Sequence, residues 1–191
     1  MKGFFPASDF NKRAPLSLIA KCGECGLHKN GCLSPKMPVT GKGQKGILIV
    51  GEYPGWHEDR GGKQFAGPSG ELLNQLLRRN GVEMRRDCWI TNAVICYSRK
   101  TIPEKAIGFC RPNLVNTIKE KQPRLILLLG TVAIRSMIGW LWKGDDIGIA
   151  SRWTGWQIPC QKLDAWICPT WSPARLIHER EGNRKNEPLE L

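Results

Sequence analysis

The stretch "ILIVGEYPGWHED", Ile47 to Asp59, decides how the rest of the chain is read. An uninterrupted apolar segment, Ile47 to Gly51, runs into a turn that holds Glu52, Pro54, Gly55, Glu58 and Asp59. A continuous rather than alternating apolar run of this length suits a strand covered on both faces, as the strands of parallel sheets are. Further runs of the same kind lie at Cys88 to Asn92, Leu125 to Gly130 and Ala165 to Thr170. Together they predict a parallel sheet of four strands.

The intervals between these runs have helical spacing. "SGELLNQLLRRN", Ser69 to Asn80, places Leu72, Leu73, Leu76 and Leu77 on one face, with Ser69 as its expected N-cap and Gly81 as its stop. Pro103 to Lys121 and Thr131 to Ile138 are patterned alike. Alternation of strand and helix predicts an α/β fold, a three-layer α/β/α sandwich around a central four-stranded parallel sheet. Asp145 to Gln161 is expected to form a hairpin about Thr154 and Gly155, with Trp153 and Trp156 directed to the core. Residues 1–178 read as a single domain and the polar residues 179–191 as a tail.

In open sheets of this class, ligands bind beyond the carboxyl ends of the strands. Here those ends read "GEYPG", "TNAVIC", "LGTVA" and "TWSPA". Glycines and polar side chains thus converge on one edge, and the opening turn forms one wall of the expected site.

Charge narrows the class of partner. Of 191 residues, 29 are Lys or Arg and 17 are acidic, and a formal charge of +12 favours a polyanion such as nucleic acid. No stretch approaches the roughly 20 apolar residues that cross a bilayer, and Met1 to Leu18 lacks the apolar run of a secretory signal. The expected location is cytoplasmic, with no membrane partner and a monomeric state. In that compartment eight cysteines argue for metal ligation over a disulfide framework.

"KCGECGLHKNGC" supplies Cys22, Cys25 and Cys32, Cys96 follows the second strand, and Cys110 lies before Arg111 and Pro112. A C-x-x-C pair is a two-ligand clip that needs partners from elsewhere. Two completions stand open: a local zinc site of Cys22, Cys25, His28 and Cys32, or an iron–sulfur cluster on Cys22, Cys25, Cys96 and Cys110. Cys88, Cys160 and Cys168 read as small hydrophobes in or beside strands.

The pieces "CGEC", "GEYPGWHED", "GGKQFAGPSGELL", "ITNAVIC", "FCRP" and "LGTVA", in this order, resemble the family-four uracil-DNA glycosylases. Each piece alone is weak; the joint match, from about Cys22 to His178, is specific. The resemblance implies a 4Fe-4S cluster on Cys22, Cys25, Cys96 and Cys110, with segments 22–32 and 96–110 as its loops and Cys32 outside the pattern. It also implies cleavage of a base–sugar bond in DNA, single- or double-stranded, after the nucleotide flips into a pocket.

Cleaving that bond builds positive charge on the sugar and negative charge on the departing base, so an anion and hydrogen-bond donors are needed. Glu52 is the expected anion. Phe65, an aromatic among glycines, takes the role of stacking platform through the resemblance. Asn92 ends a strand, where its amide offers a donor and an acceptor to a pyrimidine edge. Tyr53, Gly55 and Glu58 are expected beside the base. Gly67, Ser69 and Gly70 are expected to meet a DNA phosphate at a helix start, with Thr131 and Arg175 also on the DNA side.

Two positions depart from the family pattern. "TWSPARL" sets Ser172 where the family has a histidine that donates to the base, and a serine hydroxyl donates neutrally from a shorter arm. Tyr53 replaces a small residue. These changes point to altered base choice: uracil or a modified, 5-substituted pyrimidine, in repair or in defence against modified phage DNA. The competing expectation is a catalytically weak protein that recognises a flipped base without turnover. A zinc-containing RNA-binding module is a third reading, and it leaves the strand-end motifs unexplained.

Overall fold

The computed structural model describes residues 22–99, 102–142 and 147–178. In it the apolar runs are strands within a residue of their expected limits. The strands are β1 (Ile47–Gly51), β2 (Cys88–Asn92), β3 (Leu125–Leu129), β4 (Ile158–Cys160) and β5 (Ala165–Thr170). They form one sheet in the order β2-β1-β3-β5-β4, with every pairing parallel except β4 with β5.

The period of two along a strand explains why the runs are apolar throughout. Leu48, Val50, Ile126 and Leu128 face one cluster, built with Leu114, Ile118, Ile134 and Met137 of the helices α4 (Glu104–Lys121) and α5 (Thr131–Leu141). Ile49, Ile90 and Leu129 face the opposite cluster, with Leu73 and Met84 of α2 (Pro68–Arg79) and α3 (Met84–Asp87). Helices therefore cover both faces, as the three-layer expectation requires. A short α1 (Trp56–Gly61) follows β1, and residues 173–178 are helical after β5. Because the chain goes from β1 to β2 on one side and then to β3 on the other, the strand order switches between β1 and β3, where a crevice forms.

Four expectations are corrected. The sheet has five strands rather than four, because β4 has three residues, one of them Pro159, and is too short to show any period. The hairpin turns at Gln161–Leu163, with Asp164 in the left-handed region at φ 48°, and not at Thr154 and Gly155. Ala150–Trp153 is instead a 3-10 turn, and Trp156 is 58% exposed rather than in the core. Ser69 is not an N-cap: α2 begins one residue earlier, with Pro68 in its first turn and Gly67 as its cap. Asp145, Asp146 and the tail 179–191 lie outside the described residues.

Candidate active site

Register alone brings the first two site residues together. Gly51 pairs with Asn92 at the ends of β1 and β2. The ladder continues past the strands, with the Ala93 N–H donating to Gly51 O at 2.8 Å and the Val94 N–H to Glu52 O at 3.0 Å. Beyond these ends lies a cavity of about 180 Å³, below the ~300 Å³ at which drug-sized ligand pockets begin. Glu52, Tyr53, Gly55, Glu58, Phe65, Ser69, Asn92 and Ser172 line it.

Glu52 spans the switch point. Its Oε1 accepts the Val132 N–H at 3.0 Å, and the Thr131 N–H and the Ser172 hydroxyl also donate to the carboxylate. The first turn of α5 thus grips the side chain, as helix N-termini grip anions. Gly130, at φ 91°, makes room, since any side chain there would run into the Glu52 carboxyl. Burial raises the Glu52 pKa above its ordinary 4.5, against the pull of those three donors. The Ser172 hydroxyl, expected to face the base, is therefore hydrogen-bonded to Glu52. Beside it the Tyr53 hydroxyl is pushed up by burial and then by the Glu52 charge, so it stays protonated as a donor.

Phe65 adopts φ 52°, in the left-handed region that bulky residues avoid. Such strain persists where neighbours over-determine it. On one side buried Gln64 accepts from Thr40 Oγ1 at 2.7 Å and donates to Pro38 O, while the Arg85 guanidinium donates to Gln64 O. On the other side Glu58 Oε1 accepts the N–H groups of Ala66 at 3.0 Å and Gly67 at 3.2 Å. The Phe65 ring reaches across Gly51, where an added Cβ would lie 2.9 Å from its Cζ and collide with Asn92 Oδ1. Ring and amide thus meet over a bare backbone. Asn92 is 5% exposed, and among the described residues no protein group hydrogen-bonds its amide.

This arrangement of strand-end carboxylate, ring and amide coincides with a family match. The family model described as "Uracil DNA glycosylase superfamily" matches residues 38–190. The chain belongs to that superfamily. It is, by that membership, a DNA glycosylase. The type-4 uracil-DNA glycosylase of Pyrobaculum aerophilum is 33% identical over 173 residues, covering 85% of this chain and 82% of that protein. The type-4 enzyme of Thermotoga maritima is 30% identical over 183 residues, covering 90% and 86%. That of Saccharolobus solfataricus is 30% identical over 168 residues, covering 84% and 74%.

The expected phosphate donors of the glycosylase fare unevenly. The Gly67 N–H is held by Glu58 and the Gly70 N–H by Gly67 O at 2.9 Å, so neither is free for a phosphate. Ser69 lines the cavity at the strand ends. Thr131 is exposed at the start of α5 with its N–H turned to Glu52, and the Arg175 guanidinium stacks over Trp171 at 3.9 Å. Glu58 lines the cavity but uses one carboxylate oxygen to hold the Phe65 loop.

The cysteines gather in a separate apolar seat. Cys96 and Cys110 are buried with Leu27, Val94, Ala106 and Ile107, and Cys25 and Cys32 pack against them. Among the described residues no three His, Cys, Asp or Glu side chains converge as ligands of one metal ion. The donor chemistry fits a thiolate-bound cluster. Cys96 Sγ accepts the Lys36 N–H at 3.3 Å, Cys110 accepts the Ile95 N–H, and Cys22 and Cys25 are close enough to both to act on their thiols through charge. Burial pushes the Cys110 thiol up to about 11, a cost that ligation to a cation removes. Cys32 instead donates to Asp59 Oδ1 at 3.3 Å. Asp59 was missed as a site residue. Its carboxylate also accepts the N–H groups of Leu33 at 2.9 Å and Ser34 at 2.8 Å, tying α1 to the cysteine loop. No helix among the described residues is long and apolar enough to cross a membrane.

Proposed function

We propose that this glycosylase excises uracil, or a pyrimidine substituted at its 5 position, from DNA and leaves an abasic site. The observation that carries the reading is the buried Asn92 amide, which no group among the described residues hydrogen-bonds, lining a cavity of about 180 Å³ with the Phe65 ring and Glu52. A flipped base stacks on Phe65 while the Asn92 donor and acceptor read its edge. As the glycosidic bond breaks, the base departs with the electron pair and a water oxygen joins the sugar carbon. Glu52 favours the cationic sugar, and its raised pKa suits it to take the proton that the water releases. The protonated Tyr53 hydroxyl is available to the departing base.

Cys22, Cys25, Cys96 and Cys110 hold a 4Fe-4S cluster in this reading. When bound, it supplies a structural tie rather than electron transfer. Excised uracil fits a role in repair, and an excised 5-substituted base fits defence against modified phage DNA. A second reading, recognition of a flipped base without turnover, draws on the Ser172 hydroxyl being turned to Glu52, which leaves the base without the donor expected there.

The test incubates purified protein with single and double strands that each carry one candidate: uracil, 5-substituted uracil or 5-substituted cytosine. Alkali then cleaves any abasic site. Cleavage at one or more candidates, lost in Glu52→Gln, is expected. Tight binding with no cleavage on any strand favours recognition without turnover.

A further inference from the structure

Phe65 keeps its left-handed backbone, φ 52°, only while the groups on either side of it hold. Both holds lead back to one strip of chain, residues 32–40. The strip is anchored to the sheet: the Thr40 N–H donates to Ile90 O at 3.0 Å, the Met37 N–H to Ile95 O at 2.9 Å and the Lys36 N–H to Cys96 Sγ at 3.3 Å. On one side it grips the neighbour of Phe65, since Thr40 Oγ1 donates to the Gln64 side chain at 2.7 Å and that side chain donates to Pro38 O.

On the other side the grip passes through α1. Glu58 accepts the Ala66 and Gly67 N–H groups, and His57 packs on the same loop, 3.1 Å from where a Gly67 side chain would begin. The next residue, Asp59, is 3% exposed and accepts from Leu33, Ser34 and Cys32 of the strip. α1 has only six residues, and its turns are closed by the Asp59 N–H donating to Gly55 O at 3.0 Å and the Gly62 N–H to Glu58 O at 2.8 Å. The two adjacent carboxylates therefore move as one body. Asp59 is not among the residues that line the cavity, so any effect it has on the base travels through α1.

We propose that Asp59 is a positioning residue for base excision: by fixing α1 to the strip, it keeps the Phe65 ring where the flipped base stacks. The proposal rests on Phe65 being the base platform, as set out above. When Asp59 lets go, Glu58 follows α1, the Ala66 and Gly67 N–H groups lose their acceptor and the strained Phe65 backbone relaxes. The cysteine loop and the base platform, which share no residue, are joined in this way by two consecutive acids.

The test compares wild type and Asp59→Asn as full-length proteins at equal iron content. Amide hydrogen exchange is followed by mass spectrometry, and excision is followed in single turnovers on a strand with one uracil. The Ala66 and Gly67 amides, which Asp59 does not touch, should exchange roughly tenfold faster in the variant, with β3 unchanged. Excision should slow by about 10- to 10²-fold, up to the scale of an ångström's misplacement, with equal affinity for ordinary DNA. Faster exchange confined to Leu33 and Ser34 overturns the proposal, because the disturbance then stops at the strip. Faster exchange throughout, β3 included, also overturns it, since Asp59 would then serve only stability. So does a loosened loop with an unchanged excision rate. Should Asp59→Asn not fold, Cys32→Ala removes one of its three donors and should give the same pattern more weakly, with Cys32→Ser close to wild type. A wild type that excises no base would refute the function proposed above, while the exchange measurement, which needs no substrate, still decides whether Asp59 fixes the platform.

Discussion

Glu52 carries two opposing pressures, burial against its charge and three donors in favour of it, and burial wins. A folded pKa above 4.5 means that the native state holds the proton more tightly than the unfolded chain. The Glu52 contribution to stability is therefore unfavourable at neutral pH and is relieved as pH falls through the raised pKa towards 4.5. Glu52→Gln should fold at least as well as wild type at neutral pH and bind DNA equally, yet lose most of the excision rate. The acid limb of the wild-type rate should lie above 4.5 and vanish in the variant, which a pH–rate profile checks. Ser172→His removes a hydroxyl from Glu52 and supplies an imidazole near the base, so it should raise the rate on plain uracil in single-turnover assays. At Gly51 an added methyl must displace both the Asn92 amide and the Phe65 ring. Gly51→Ala should retain β1 but cut excision by about 10²-fold, the scale of an ångström's misplacement. Glu52, Phe65 and Asn92 were legible because strand ends and a family pattern expose them. The partner of the Ser172 hydroxyl was not, since a hydrogen bond across 120 residues leaves no local mark in a chain.

Among the elements, α1 has the most indirect influence. Through Asp59 it holds the N–H groups of Leu33 and Ser34 and the thiol of Cys32, whose sulfur also lies against Cys96. Burial pushes the Asp59 carboxyl upward, but the Leu33 and Ser34 donors outweigh it and the pKa is lowered. Its stabilising effect is thus present above 3.8 and lost as pH falls through the folded value. Asp59→Ala takes the acceptor from the partly buried Leu33 and Ser34 N–H groups and the Cys32 thiol, and should cost about 1 kcal/mol for each bond lost. Thermal melts check the loss, and iron content should fall with it. Substituting Cys96 should release iron outright, whereas Cys32→Ser, which keeps a donor for Asp59, should retain it. The sequence offered Cys32 only as a zinc ligand or as a cysteine outside the cluster pattern, and only the folded loop joins it to an acid 27 residues away. Strands β1, β2, β3 and β5 were readable because burial on both faces writes itself as unbroken apolar runs. The three residues of β4 acquire their conformation from pairing with β5 and carry no such mark.

At the scale of the molecule, the charge of +12 predicts the response to salt. The logarithm of affinity for a short duplex should fall linearly with the logarithm of salt, with a slope of about −0.9 for each phosphate contacted. A flat titration would separate the charge from the partner. The sheet itself has two margins, and each is closed differently. At the β2 margin the chain from Met37 to Lys45 lies alongside, exchanging hydrogen bonds between Thr40 and Ile90 and donating to Ile95, Arg85 and Asp87 carbonyls. At the other margin β4 is brief, and Pro159 removes one N–H from its rim. An unshielded rim of main-chain groups is a template on which copies of a protein polymerise into fibrils. Pro159→Val would restore a donor and a β-branched side chain there. Concentrated solutions of that variant, above all where DNA neutralises the positive charge, should become turbid and bind amyloid dyes sooner than wild type.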